Sequence, residues 1–161
     1  MYIVTKVYDD DFVEVINLID FKRYDLGVSD QRKLITETEV LGLVSYDNKI
    51  VDRLGYNFIC FPTEDEAENY CLCNKLSFNN IKSVNGNFFV FIKNNKLYKV
   101  NYYVYNQVGN VITYVGHKNS YTNYKQAAKI FDRESAYIKA NNMTKNSKTG
   151  KFWYVQRELI Y

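Results

Sequence analysis

NNIKSVNGNFFVFIKNNKLYKVNYYVYNQVGNVITYVG, residues 79–116, decides the fold class. Asn85-Gly86 suits a two-residue hairpin turn, because both positions tolerate positive φ. Asn94-Asn95 predicts a second such turn, and Val108-Gly109-Asn110 a third. Between the turns run FFVFIK, KLYKVNYYVY and VITYV, rich in the aromatic and β-branched residues that strands favour. The expectation is one antiparallel meander over about 79–116. In its long strand, the period of two puts Tyr98, Val100, Tyr102 and Val104 on a core face. Lys99, Asn101, Tyr103 and Tyr105 then face water.

Outward from the meander, YIVTKVYDDDFVEVINLI (2–19) predicts an N-terminal hairpin around the acidic turn Asp9-Asp10-Asp11. Residues 20–35 are polar and irregular, and TETEVLGLV (36–44) suggests a short capped helix interrupted by Gly42. GYNFICF is a strand that Pro62 ends, since proline cannot donate to a central ladder. Thr63 followed by Glu66 forms a capping box, and carboxylates at 64, 65 and 66 suit the positive end of a helix running to about Leu76. After the meander, Tyr124, Ala127, Ala128, Phe131, Ser135 and Ile138 follow a helical period, unless Asp132 caps a shorter helix instead. FDRESA echoes FPTEDEA seventy residues earlier, and KFWYVQRELIY reads as a closing strand. The fold class is therefore α+β: a meander with two or three helices packed on it, plus the N-terminal hairpin. A chain of 161 residues is ordinarily one domain. Two similar α+β halves, 1–78 and 79–161, are the other organisation the pattern allows.

The two halves carry opposite charge. Residues 1–80 hold 8 Lys+Arg against 15 Asp+Glu, a balance of −7; residues 81–161 hold 13 against 3, a balance of +10. Such asymmetry points to interaction surfaces, unless the halves neutralise one another within the fold. The basic half also has 10 of the 16 Tyr and the sole Trp, Trp153. Rings and cations together suit phosphate, nucleic acid or an acidic protein face. The abundance of Asn, Lys, Ile and Tyr has a second source, since AT-rich codons favour all four.

Reaction chemistry is hard to find. His117 is the only histidine, and the three Cys lie in the other half, so neither a zinc set nor a catalytic triad assembles along the sequence. Cys71 and Cys73 fall on the second helix, where that spacing turns the thiols apart. Cys60, Cys71 and Cys73 read as reduced core thiols of a cytoplasmic protein. The acidic turn with Glu14 lacks the further oxygen ligands of a calcium loop. With 7 Gly there is neither a P-loop nor a dinucleotide fingerprint, and no cofactor or metal is expected. MYIVTKVYDDD lacks a signal pattern, and no apolar run reaches the roughly 20 residues of a membrane span.

NYYVYNQVGNVITYVGHKN, residues 101–119, resembles the opening hairpin of the small GIY-YIG nucleases, in which tyrosines across a hairpin assist metal-dependent phosphodiester cleavage. The resemblance implies roles for Tyr103 and Tyr114 and covers under an eighth of the chain. No Gly precedes the first motif, Tyr124-Lys125 stands where an Arg belongs, and the metal-binding Glu falls to Glu134 or Glu158. Asp47-Asn48-Lys49 is the Asp-x-Lys half of another nuclease pattern, without its upstream acid.

The leading expectation is a non-enzymatic binding protein that inhibits or modulates a host macromolecular machine, in the style of phage or prophage anti-defence proteins such as anti-CRISPR inhibitors. Its partner is a host protein or a protein–nucleic acid complex met in the cytoplasm of the host cell, with no membrane involved. The basic aromatic face comprises Lys99, Tyr103, Tyr105, Tyr114, His117, Lys118, Tyr121 and Lys125; the acidic face comprises Asp9, Asp10, Asp11, Glu14, Glu64, Asp65 and Glu66. Single-stranded nucleic-acid binding through the C-terminal half is the alternative, and a hairpin-type nuclease the second.

Overall fold

A computed structural model describes residues 1–160. The chain is α+β and divides into two compact units, Met1–Leu97 and Tyr98–Tyr161.

In the first unit, β1 (Tyr2–Tyr8) and β2 (Val13–Asn17) pair antiparallel, and β3 (Arg23–Leu26) adds to β2. Helix α1 (Val28–Glu37) leads to β4 (Val40–Leu41), which runs parallel to β1. β5 (Leu43–Tyr46) and β6 (Lys49–Arg53) form a separate ribbon. β7 (Gly55–Phe61), helix α2 (Glu64–Cys73), β8 (Ile81–Val84) and β9 (Asn87–Asn94) follow, with the three strands ordered β7-β9-β8. The two-residue β10 (Leu97–Tyr98) lies at the division between units.

Strand alternation explains how this unit buries its apolar residues. Ile3 and Ile16, opposite one another, pack with Leu18 against Phe89 and Phe91 of β9. Val4 and Val15, one residue along, face the other way and meet Leu34 and Ile35 of α1. β9 repeats the arrangement: Val90, between the two phenylalanines, packs against Ala67 and Cys71 of α2. The order of layers is therefore α1, sheet, sheet, α2. Each buried Val, Ile or Phe contributes about 1.5–3 kcal/mol relative to exposure.

The second unit contains β11 (Val100–Val108), β12 (Val111–Val115), β13 (Tyr121–Thr122), α3 (Arg133–Lys145) and β14 (Tyr154–Leu159), with strands ordered β13-β12-β11-β14. Tyr102, Val104 and Val115 pack against Ala136 and Ala140 of α3, with Phe131 closing the cluster. Asp132 caps α3 by accepting the Ser135 N–H at 2.8 Å; Thr63 caps α2 through the Glu66 N–H at 3.3 Å. The echo between FDRESA and FPTEDEA is thus an echo of caps.

Several expectations need correction. Residues 79–116 do not form one meander: β8 and β9 belong with β7, whereas β11 and β12 belong with β13 and β14. The break falls at Asn94-Asn95. Asn85 and Gly86 adopt φ of 50° and 78°, as a two-residue hairpin turn requires, but neither Asn94 nor Asn95 has positive φ. Asn94 Oδ1 instead accepts the Lys96 N–H at 3.1 Å, so the side chain satisfies a local turn and the chain leaves the sheet. The early helix occupies 28–37, starting inside the stretch 20–35 expected to be irregular and ending at the first residues of the helix expected over 36–44. Residues 40–46 are strand on either side of Gly42 at φ 101°. The helical period through Tyr124 and Ala127 yields a short 3₁₀ turn, Lys125–Ala127, and α3 begins only after Asp132. Asp47 and Asn48, with φ of 49° and 60°, are the turn of the β5–β6 ribbon.

Candidate functional site

On the face of β11 away from α3, tyrosines gather. Tyr105 lies opposite Tyr114 on β12 and opposite Tyr154 on β14. Their rings approach at 6.0 Å and 5.6 Å between centroids. Tyr103 meets Tyr114 edge-on at 6.1 Å. Ala128 covers this cluster, leaving Tyr103 and Tyr114 only 7% and 8% exposed. Their hydroxyls stay satisfied: Asn101 Nδ2 donates to Tyr103 Oη at 3.3 Å, and Tyr114 Oη donates to Gln156 Oε1 at 3.5 Å. Tyr103 therefore leaves the water-facing set assigned by simple alternation, because both faces of β11 are covered.

Lys125 stands beside the same rings. Its Nζ donates to Glu158 Oε1 at 2.7 Å. That hydrogen bond holds its pKa above the ordinary lysine value. Desolvation partly opposes the shift, and the charges of Glu158, Tyr114 and Tyr103 add to it. The structure thus brings together the two tyrosines of the nuclease-like hairpin, a cation and a carboxylate, with the carboxylate held by the cation. Glu134 sits in the first turn of α3. Among the described residues, no three His, Cys, Asp or Glu side chains gather in a way that could hold a metal ion.

The other basic residues are on the surface. Lys99, His117, Lys118 and Tyr121 are exposed. A tight loop presents His117 and Lys118: Ser120 donates to the His117 carbonyl from both N (3.1 Å) and Oγ (2.6 Å), and Lys118 and Asn119 have φ of 52° and 58°. Tyr121 packs its ring on Trp153 at 5.7 Å. Sequence reading passed over Tyr124, Phe152 and Tyr154 as surface rings, although all three are more than half exposed. Their signal was the run of rings beside Lys125 and Lys151.

The acidic residues are more committed to structure. Glu14 accepts from Thr5 Oγ1 and Arg23 Nη1, each at 2.8 Å, with Lys6 Nζ 3.8 Å away. The turn at Asp9, Asp10 and Asp11 is anchored by Gln31 of α1, which is fully buried. Gln31 Nε2 donates to the Asp11 and Leu26 carbonyls at 2.8 Å, and its Oε1 accepts Arg53 Nε at 2.8 Å. Arg53 also lies 3.7 Å from the Asp11 carboxylate. Glu64, Asp65 and Glu66 occupy the first turn of α2, exposed, where the helix dipole favours them.

Charge follows the compact units. Met1–Leu97 holds 11 Lys+Arg against 15 Asp+Glu, a balance of −4; Tyr98–Tyr161 holds 10 against 3, a balance of +7. Among the described residues, no helix is long and apolar enough to cross a membrane. No protein-family model matches the chain, and neither does any curated protein or solved structure.

Proposed function

We propose that the chain is a non-enzymatic binding protein whose C-terminal unit engages an acidic macromolecular partner, and that it thereby inhibits or modulates a larger host assembly in the cytoplasm, as phage-encoded anti-defence proteins do. One observation carries this reading: the +7 balance of Tyr98–Tyr161. Two of its three acids are already engaged, Asp132 in capping α3 and Glu158 in pairing with Lys125. The unit also exposes the rings of Tyr121, Tyr124, Phe152 and Tyr154, and tyrosine and tryptophan dominate the energetics of interfaces. Such a surface accelerates encounter with a polyanion and loses its grip as salt screens it.

The test is retrieval of partners from host lysate with tagged protein, at low and high salt, alongside a Lys99→Glu/Lys118→Glu variant. A stoichiometric partner that both the double substitution and high salt release is the expected result. Recovery of no such partner defeats the reading.

A metal-dependent nuclease is the second reading, favoured by the convergence of Tyr103, Tyr114, Lys125 and Glu158. Plasmid incubated with the protein and Mg²⁺ or Mn²⁺ stays intact if the chain only binds. Cleavage that Tyr114→Phe abolishes would replace the binding reading.

A further inference from the structure

β11 outruns its neighbour. β14 pairs with it only as far as Tyr154 opposite Tyr105, whereas β12 pairs with it through Val108. Beyond the end of β14 lies a groove of about 260 Å³, lined by Asn106, Gln107 and Val108 and by Lys151, Phe152 and Tyr154. Asn106 is 4% exposed. It lines the groove, and among the described residues its side-chain amide is not one of the buried polar atoms left without a partner. A carboxamide lining a groove carries a donor and an acceptor side by side, the pair that a base edge can match.

The rest of the lining narrows the chemistry. Phe152 is 65% exposed and Tyr154 51%, so each offers ring surface to a planar ligand. Lys151 forms no ion pair among the described residues; Lys145 ends α3, and Lys148 lies on the run between α3 and Lys151, both exposed. The unit that holds the groove carries +7. The open stretch of β11 is only three residues, shorter than the typical 5–6 of a strand, which disfavours an added peptide strand.

We propose that this groove binds one nucleotide unit of a single-stranded nucleic acid. The Asn106 amide pairs its donor and acceptor with a base edge, Phe152 stacks on the base, and Lys151 takes the adjoining phosphate. A side-chain amide pairs best with adenine, which presents a donor beside an acceptor. Stacking on an exposed ring supplies affinity without regard to sequence. This inference rests on the reading of the C-terminal unit as a contact surface for a polyanion, and it names the part of a partner complex that this unit touches.

The experiment is fluorescence anisotropy of the full chain with labelled single strands of roughly 12 nucleotides, poly-dA and poly-dT, with AMP and acidic polypeptide as competitors. Binding should weaken steeply between about 50 and about 200 mM salt. Phe152→Ala, an exposed position that leaves the core intact, should weaken it by about tenfold. Lys151→Gln should lower the salt slope by about one. Asn106→Leu should erase the preference for poly-dA. Wild-type affinity in both Phe152→Ala and Lys151→Gln overturns the site. Competition by AMP at strand-like affinity overturns the strand as ligand, and competition by acidic polypeptide overturns nucleic acid altogether. A wild-type protein that retrieves a host partner yet binds no oligonucleotide overturns the groove while leaving the surface reading intact.

Discussion

The Lys125 ammonium lies 2.7 Å from a Glu158 carboxylate oxygen, beside the buried rings of Tyr103 and Tyr114. This pair withdraws one cation from the basic surface and ties the 3₁₀ turn at Lys125–Ala127 to β14. Because the Lys125 pKa is raised in the folded protein, the stabilisation is fully present below the ordinary lysine value. It fades as pH climbs through the raised one. Glu158→Gln should therefore melt slightly below wild type at neutral pH, with the gap closing in strongly alkaline buffer. Both partners are about one-third exposed, so the gap is small and should shrink further in salt. A gap that stays constant to the alkaline limit would assign the effect to something other than this pair.

Asp132 has the opposite sign. Its carboxylate accepts the Ser135 N–H and hydroxyl, both at 2.8 Å, and these bonds lower its pKa, the backbone bond most. The cap therefore stabilises above the ordinary aspartate value and is lost as pH falls through the depressed one. Asp132→Ala should lower Tm by about 4 °C near neutrality. Wild type and variant should converge in acid, because protonated Asp132 no longer offers the carboxylate. Melting curves over that range decide the matter; parallel curves would mean that the cap is not electrostatic.

How far the sequence discloses the structure depends on whether a local signal has one physical meaning. Asn85-Gly86 does, since few other pairs accept positive φ twice, and the caps at Thr63 and Asp132 do as well. Asn94-Asn95 has the same composition as a turn but bonds through its side chain, and nothing local distinguishes the two outcomes. Helix α1 escapes notice because Gly27 caps it without a side-chain bond and its one fully buried residue is Gln31, a polar residue on what should read as the apolar stripe. Tyr103 escapes because alternation assumes one dry face, whereas Ala128 returns from a distant loop to cover the second. The groove at Asn106 depends on where β14 stops, a relation between residues some fifty positions apart.

Gln31 leads to a sharp prediction. It satisfies two carbonyls and receives Arg53, so replacement by Leu strands three polar groups at the base of the acidic turn. Leaving buried partners unsatisfied costs about 1–3 kcal/mol. Gln31→Leu should lose about that much in urea unfolding, although Leu suits a helix better by propensity. A neutral or stabilising result would show that water readily replaces the amide.

Gly42 and Gly86 form a matched pair. Both have positive φ, 101° and 78°, but a Cβ on Gly42 would collide with the Leu54 carbonyl oxygen and lie 2.8 Å from Val4 Cβ. A Cβ on Gly86 meets nothing within 4 Å. Gly86→Ala should cost about 1 kcal/mol, the conformational penalty alone. Gly42→Ala adds a clash with backbone that is itself fixed by the Leu54 N–H donating to the Gly42 carbonyl at 2.8 Å, and should cost about 3 kcal/mol or more. Equal losses in the two variants would show that the chain near Leu54 yields freely.

The three cysteines test the packing of α2. Cys60 and Cys73 are exposed, whereas Cys71 is fully buried beneath the β7-β9-β8 sheet beside Ala67 and Val90. Burial raises the Cys71 pKa, and the nearby Glu68 carboxylate raises it further, so thiolate is scarce there even where reagent arrives. In native protein a thiol-reactive chromogen should therefore titrate Cys60 and Cys73 quickly and reach Cys71 only at the rate of unfolding. Denaturant should release the third equivalent at once. Three fast equivalents in the native protein would mean that α2 opens locally from the sheet, because neither the inward face of the helix nor the pKa of the thiol otherwise permits the reaction.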